Sequence, residues 1–154
     1  QLTKGRDALE QNKIDLALSL AAQVADSDPK LAAPAALLSA RALLVQAMSQ
    51  SENLALATAR DAEGKLAGIA EDQLDPADQN LLKVARGRLS LITRTGFEAA
   101  IKDDSAQVSA SAFNAAVNYA RANDREKSLK YCDLADRDPN RKAQVAELRA
   151  LLIK

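Results

Sequence analysis

Apolar residues in this chain recur at spacings of three and four, the period of a helix that buries one face. Ile14, Ala17, Leu18, Ala21, Val24 and Ala25 form one such stripe. Leu82, Ala85, Leu89 and Ile92 form another, and Val145, Leu148, Leu151 and Leu152 a third. Between Ala35 and Met48 the pattern thickens, with Leu37, Leu38, Leu43, Leu44 and Val45 nearly adjacent. The spacing predicts helices over residues 2–10, 14–27, 35–48, about 53–73, 78–94, 107–122 and 125–136. A last helix starts at Pro139, and a short one carries Phe97, Ala100 and Ile101 and ends at Asp103-Asp104-Ser105. That makes about nine helices, with no alternating run that would signal a strand.

The boundaries are marked. Asp-Pro occurs three times, as Asp28-Pro29, Asp75-Pro76 and Asp138-Pro139. An Asp side chain caps the free N–H groups of a helix start, and Pro suits the first helical position because its missing N–H would have no partner there. Asn12-Lys13, Ser49-Gln50-Ser51, Thr95-Gly96 and Asn123-Asp124 supply the remaining breaks. Helices joined by links this short must run antiparallel. A boundary mark that recurs between Ala- and Leu-rich segments points to an array of helical hairpins.

Composition narrows the architecture. The hydrophobic fraction is 47%, but 33 of the 154 residues are Ala, with two Phe, two Tyr and no Trp. Alanine has the highest helix propensity and lets backbones approach closely, so the interfaces should be thin. Pro29 and Pro76 stand 47 residues apart, about 13 more than a repeat of roughly 34 residues. Shared between two helices, the excess would project that hairpin's tip about 10 Å beyond its neighbours at about 1.5 Å per residue. Gly64 and Gly68, four apart in the long helix, cost about 1 kcal/mol each relative to Ala and suggest a close helix crossing.

Two segments resemble tetratricopeptide (TPR) repeats. In the last unit Ala116, Tyr119, the Asn123-Asp124 turn, Ser128, Cys132, Ala135 and Pro139 fall on the family's small–bulky–turn–small pattern. In the first unit Gly5, Ala8, Asn12-Lys13, Ala17, Ala21, Val24 and Pro29 take the corresponding places. The family's aromatic in the second helix is replaced by Ala21 and Cys132, and its early tryptophan is missing. The likeness covers about 60 residues and leaves the middle irregular. It implies an all-α fold: a TPR-like right-handed superhelix of about four antiparallel hairpins over residues 1–154. The units are 1–30, 31–77, 78–106 and 107–139, closed by a capping helix at 140–154. Arg141, Lys142, Glu147 and Arg149 make that cap polar on one side, and the N-terminal edge lacks one.

Charge and chemistry exclude several classes. Lys plus Arg equals Asp plus Glu at 21 each, so the net charge is zero and no basic field for nucleic acid exists. Lys83, Arg86, Arg88 and Arg94 scatter around their helix as a solvated face. The chain has no His, which removes the commonest general base and metal ligand, and the single Cys132 permits neither a disulfide nor a thiolate zinc site. Cys132 falls on the packing face and reads as a small buried hydrophobe. Glu71, Asp72, Asp75 and Asp78 lack the spacing of a calcium loop and read as caps. Arg86-Gly87-Arg88 is no phosphate loop. We therefore expect no enzyme, no cofactor and no metal. No apolar run is expected to approach the roughly 18 residues of a membrane helix.

The resemblance also locates a binding surface, because first helices line the concave side in that family. The corresponding places are Ala36, Ala40, Leu43 and Leu44 in the second unit and Phe113, Val117, Ala120 and Arg121 in the last. Such an apolar surface disfavours a C-terminal carboxylate ligand and suits an amphipathic helix or apolar strand of a protein partner. The expected function is a protein-interaction scaffold or adaptor, comparable with bacterial assembly factors or envelope lipoproteins, in the cytoplasm or periplasm. The alternatives are a self-associating piece of a longer solenoid, joined through its N-terminal edge, and, further off, a carboxylate-based enzyme.

Overall fold

A computed structural model describes residues 1–50, 52–94 and 106–153. Among these residues there are eight α-helices and no strands: α1 (Leu2–Glu10), α2 (Ile14–Ser27), α3 (Ala32–Met48), α4 (Glu52–Ala67), α5 (Pro76–Arg94), α6 (Ala106–Arg121), α7 (Arg125–Ala135) and α8 (Lys142–Ile153). The short helix expected around Phe97–Ile101 lies outside the described residues. The all-α expectation therefore holds at the level of elements.

The boundaries follow the local chemistry. Asp28 Oδ1 accepts from the Lys30 N–H at 3.0 Å, and Asp138 Oδ1 accepts from the Asn140 N–H at 3.0 Å. In both places Pro opens a single 3₁₀ turn, Pro29–Leu31 and Pro139–Arg141, before the α-helix begins. Asp75-Pro76 opens α5 directly, with Asp75 Oδ1 taking the Asp78 N–H at 2.8 Å. Asn12 and Asn123 turn the two hairpins in the left-handed region, with φ of 58° and 61°. Asn tolerates that region better than other residues with a Cβ, so it replaces Gly at each turn.

α3 is the hub. It packs against α1, α2, α4, α5 and α6. Eleven of its 17 residues are buried, so most of its circumference is apolar and has to be enclosed. Leu38, Ala42 and Val45 meet Ala8, Leu9, Ala17 and Ala21 of the first hairpin. Leu37, Ala40, Leu44, Ala47 and Met48 join the larger core shared with α4 to α8. Each fully buried Leu, Val or Met contributes roughly 1.5–3 kcal/mol. The 20-residue stretch Pro29–Met48 contains an 18-residue window with a mean hydropathy of 1.5, long and apolar enough to cross a membrane by length and composition. That corrects the expectation that no run reaches such a length. A little over half of the stretch is buried by the surrounding helices.

Three further expectations change. The helix from residue 53 ends at Ala67, not near Gln73, and Glu71–Gln73 form a separate 3₁₀ turn. Residues between Pro29 and Pro76 thus go into connections: α3, at 17 residues, is scarcely longer than α6 at 16, and α4, also at 16, equals it. Gly64 and Gly68 meet no atom within 4 Å of where a Cβ would stand, so neither marks a close crossing. The close approach is at Gly5, where a Cβ would lie 2.6 Å from Leu38 Cδ2.

The edges also differ from expectation. α8 turns one of its charges inward: Arg149 binds Asp136 at 3.1 Å and also Asp133, tying α8 to α7, while Lys142 and Glu147 stay exposed. Partial burial pulls the Arg149 guanidinium down, but its bonds to Asp136 and Asp133 hold it above its ordinary value. The outward side of α8 exposes Leu151 (68%) and Ile153 (71%). At the other edge, exposed Thr3, Lys4, Asp7 and Glu10 make α1 polar outward. The apolar edge is C-terminal.

Gly87 lies mid-helix in α5 with open space around it. Gly87→Ala should therefore stabilise by about 0.5–1 kcal/mol, a rise of about 2 °C in Tm. Gly5→Ala must displace buried Leu38 and should fall clearly below it. Thermal melts of the two variants beside the parent check the ordering.

Candidate functional site

An open groove of about 710 Å³ lies between α2 and α4, over α3. Leu18, Ala21, Ala22 and Ala25 of α2 form one wall, and Arg60, Asp61, Gly64 and Lys65 of α4 the other. Ala32, Ala35, Ala36, Ser39 and Leu43 of α3 form the floor. The groove exists because both walls meet α3 through small residues. Ala17 and Ala21 bring α2 onto α3, while Ala55, Ala59 and Ala62 are buried on α4. Short side chains leave nothing long enough to bridge the gap above α3. Gly64, without a Cβ, widens the α4 wall.

The expected binding residues separate by depth. Ala36 and Leu43 are half-buried and belong to the groove. Ala40 and Leu44 are 0% and 1% exposed and belong to the core, where they hold α3 in place. On α6, Phe113 packs against that same core, Val117 and Ala120 are half-buried, and Arg121 is exposed. None of these four α6 residues lines the groove. The floor of the groove runs along α3 through Ala32, Ala36, Ser39 and Leu43, and its walls are second helices of hairpins. Sequence reasoning missed the α2 and α4 walls. Their signal was present in the run of small residues Ala21, Ala22 and Ala25 and in Gly64.

The opposite side of α3, where the first helices meet, is charged. Arg6 of α1 donates to buried Asp78 of α5 at 2.8 Å. Arg41 of α3 is half-buried beside them. Burial lowers its guanidinium below the ordinary value, the like charge of Arg88 adds to this, and Glu10 and Asp78 oppose it. Asn118 of α6 donates to the Ser49 carbonyl at 2.8 Å and so satisfies the C-terminal end of α3. These contacts pin α1, α5 and α6 around the hub.

The acidic group at the start of α5 is accounted for by structure. Asp75 caps the helix, Asp78 pairs with Arg6, and Glu71 pairs with Arg86 at 3.0 Å. Among the described residues no group of three His, Cys, Asp or Glu side chains is placed to hold a metal ion. Cys132 is fully buried and free. Burial pushes its thiol above the usual range, so it stays protonated and unreactive. Ser128 beside it donates to the Ala116 carbonyl at 2.7 Å, which binds α7 to α6. Tyr119 and Tyr131 stack in parallel at 5.4 Å between the same helices.

No protein-family model, curated protein or solved structure matches this chain.

A thiol reagent should label Cys132 in the native protein only as fast as the chain opens, and fully once denaturant is present. Rapid labelling under native conditions would show that the α6–α7 contact is loose.

Proposed function

We propose that the chain is a protein-interaction module built from tetratricopeptide-like hairpins, whose α2–α3–α4 groove receives an amphipathic helix from a protein partner. The observation that carries this reading is an apolar groove of about 710 Å³ that the fold leaves uncovered, floored by Ala36 and Leu43 and rimmed by Arg60, Asp61 and Lys65. Helix-in-groove recognition uses such a surface: apolar anchors enter, and the charged rim orients them. Alanine on the α2 wall and the α3 floor, with Gly64 on the α4 wall, lets an incoming backbone approach closely, so small residues along the middle of the partner helix favour it.

Catalysis plays no part in this reading. Without histidine, and with its cysteine buried and protonated, the chain offers a shaped surface and few reactive groups. Recognition there is set by packing and by the rim charges. Because affinity follows anchor quality more than buried area, a single half-buried Leu can dominate it.

A photo-crosslinking residue at Ala22, exposed on the groove wall, tests this in extracts of cells that make the protein. The same residue at Arg125, exposed on α7, is the control. Crosslinks specific to Ala22 should map to an amphipathic helical segment. Leu43→Glu should weaken that capture at least about tenfold, equivalent to about 1.4 kcal/mol, while circular dichroism stays helical. Equal capture at both positions, or capture that survives Leu43→Glu, overturns the reading.

A further inference from the structure

The chain itself carries a helix with the features the groove asks for. The outward side of α8 exposes Ala143, Ala146 and Ala150, flanked by Leu151 and Ile153. Leu151 and Ile153 are the two most exposed large hydrophobics among the described residues, since Leu54 follows at 60%. Among the described residues both stay exposed: α8 rests on α7 and α6 through Val145, with Leu148 and Leu152 half-buried. Small residues in the middle and two bulky ones at the end match a groove made of alanines with Leu18 and Leu43 in its lining.

The charges match as well. By helical periodicity Lys142 and Glu147, both exposed, stand on opposite flanks of the alanine stripe of α8. The two rims of the groove differ in sign in the same way. The α4 rim holds Arg60 and Lys65 against one acid, Asp61, and the α2 rim carries exposed Asp26 beside Ala22 and Ala25. In one of the two orientations of an inserted helix, Glu147 faces Arg60 and Lys65 while Lys142 faces Asp26.

We propose that α8 of one copy docks in the α2–α3–α4 groove of a second copy. The contact is head-to-tail, because groove and helix are different surfaces of one chain. Such an interface either closes into a ring or extends as a filament. The proposal rests on the reading of the groove as a docking surface, and it names a second copy of this chain as the occupant. Rim charges of opposite sign fix the direction of insertion and disfavour the reverse one.

Sedimentation across a wide concentration range, with three proteins, decides this. The wild type should gain mass with concentration beyond a dimer. Leu43→Glu, which spoils the groove, should be monomeric. Leu151→Lys with Ile153→Glu, which sets like charges against each rim, should also be monomeric. An equimolar mixture of the two variants keeps one intact groove and one intact α8, so it should form a heterodimer and nothing larger. Should Leu43→Glu lose helicity, Arg60→Glu with Lys65→Glu, both exposed on the α4 rim, spoils the groove in its place. A wild type that stays monomeric, a single variant that still dimerises, or a mixture that fails to pair overturns the proposal. If Ala22 crosslinks to another protein persist in that case, the groove is still a docking surface and only the identity of its occupant was wrong.

Discussion

A helix this apolar must be packed on most of its faces, and α3 imposes that requirement on everything else. Eleven of its residues are buried, and it contributes side chains to both clusters of the core. Leu38 and Val45 bind the first hairpin while Leu37, Leu44 and Met48 bind the rest. Removing α3 would leave two thin hairpin stacks with no common core. The polar contacts serve the same end, since Arg6–Asp78 and Asn118–Ser49 tie α1, α5 and α6 to the hub's surroundings.

Alanine explains both the stability and the openness. Small side chains let α2 and α4 sit close on α3, where dispersion contacts between backbones replace the bulk of aromatic residues. The same shortness leaves the space between α2 and α4 unfilled. A groove is therefore a direct consequence of packing through alanine. Gly64 fits this account, because its missing side chain faces open space and deepens the wall.

Charge is used sparingly and locally. The net charge is zero, yet the charges are not evenly spread: Arg149 turns toward Asp133 and Asp136, and the Arg41 side of α3 is crowded with ionised groups. Exposed ion pairs such as Arg86–Glu71 contribute about 0–1 kcal/mol at most. Those that join distant helices matter more for arrangement than for stability. With Arg149 turned against α7, α8 leaves an outward stripe of alanine with Leu151 and Ile153, flanked by Lys142 and Glu147.

By itself the sequence determined the helices, because capping and turning are local events. Asp28, Asp75 and Asp138 bond N–H groups two or three residues away. Asn12 and Asn123 need only their own backbone angles. The positions of α1, α2, α5, α6 and α7 were legible from these signals and from apolar spacing. What the tertiary structure alone decided is which faces stay open. Ala40 and Ala36 differ by one turn on the same helix, yet one is core and the other groove, because five neighbours close around α3 from particular directions. Likewise the stripe of α8 could not announce that Arg149 would find its acids on α7. Periodicity reports that a face is apolar; only the placement of distant helices determines whether that face is covered.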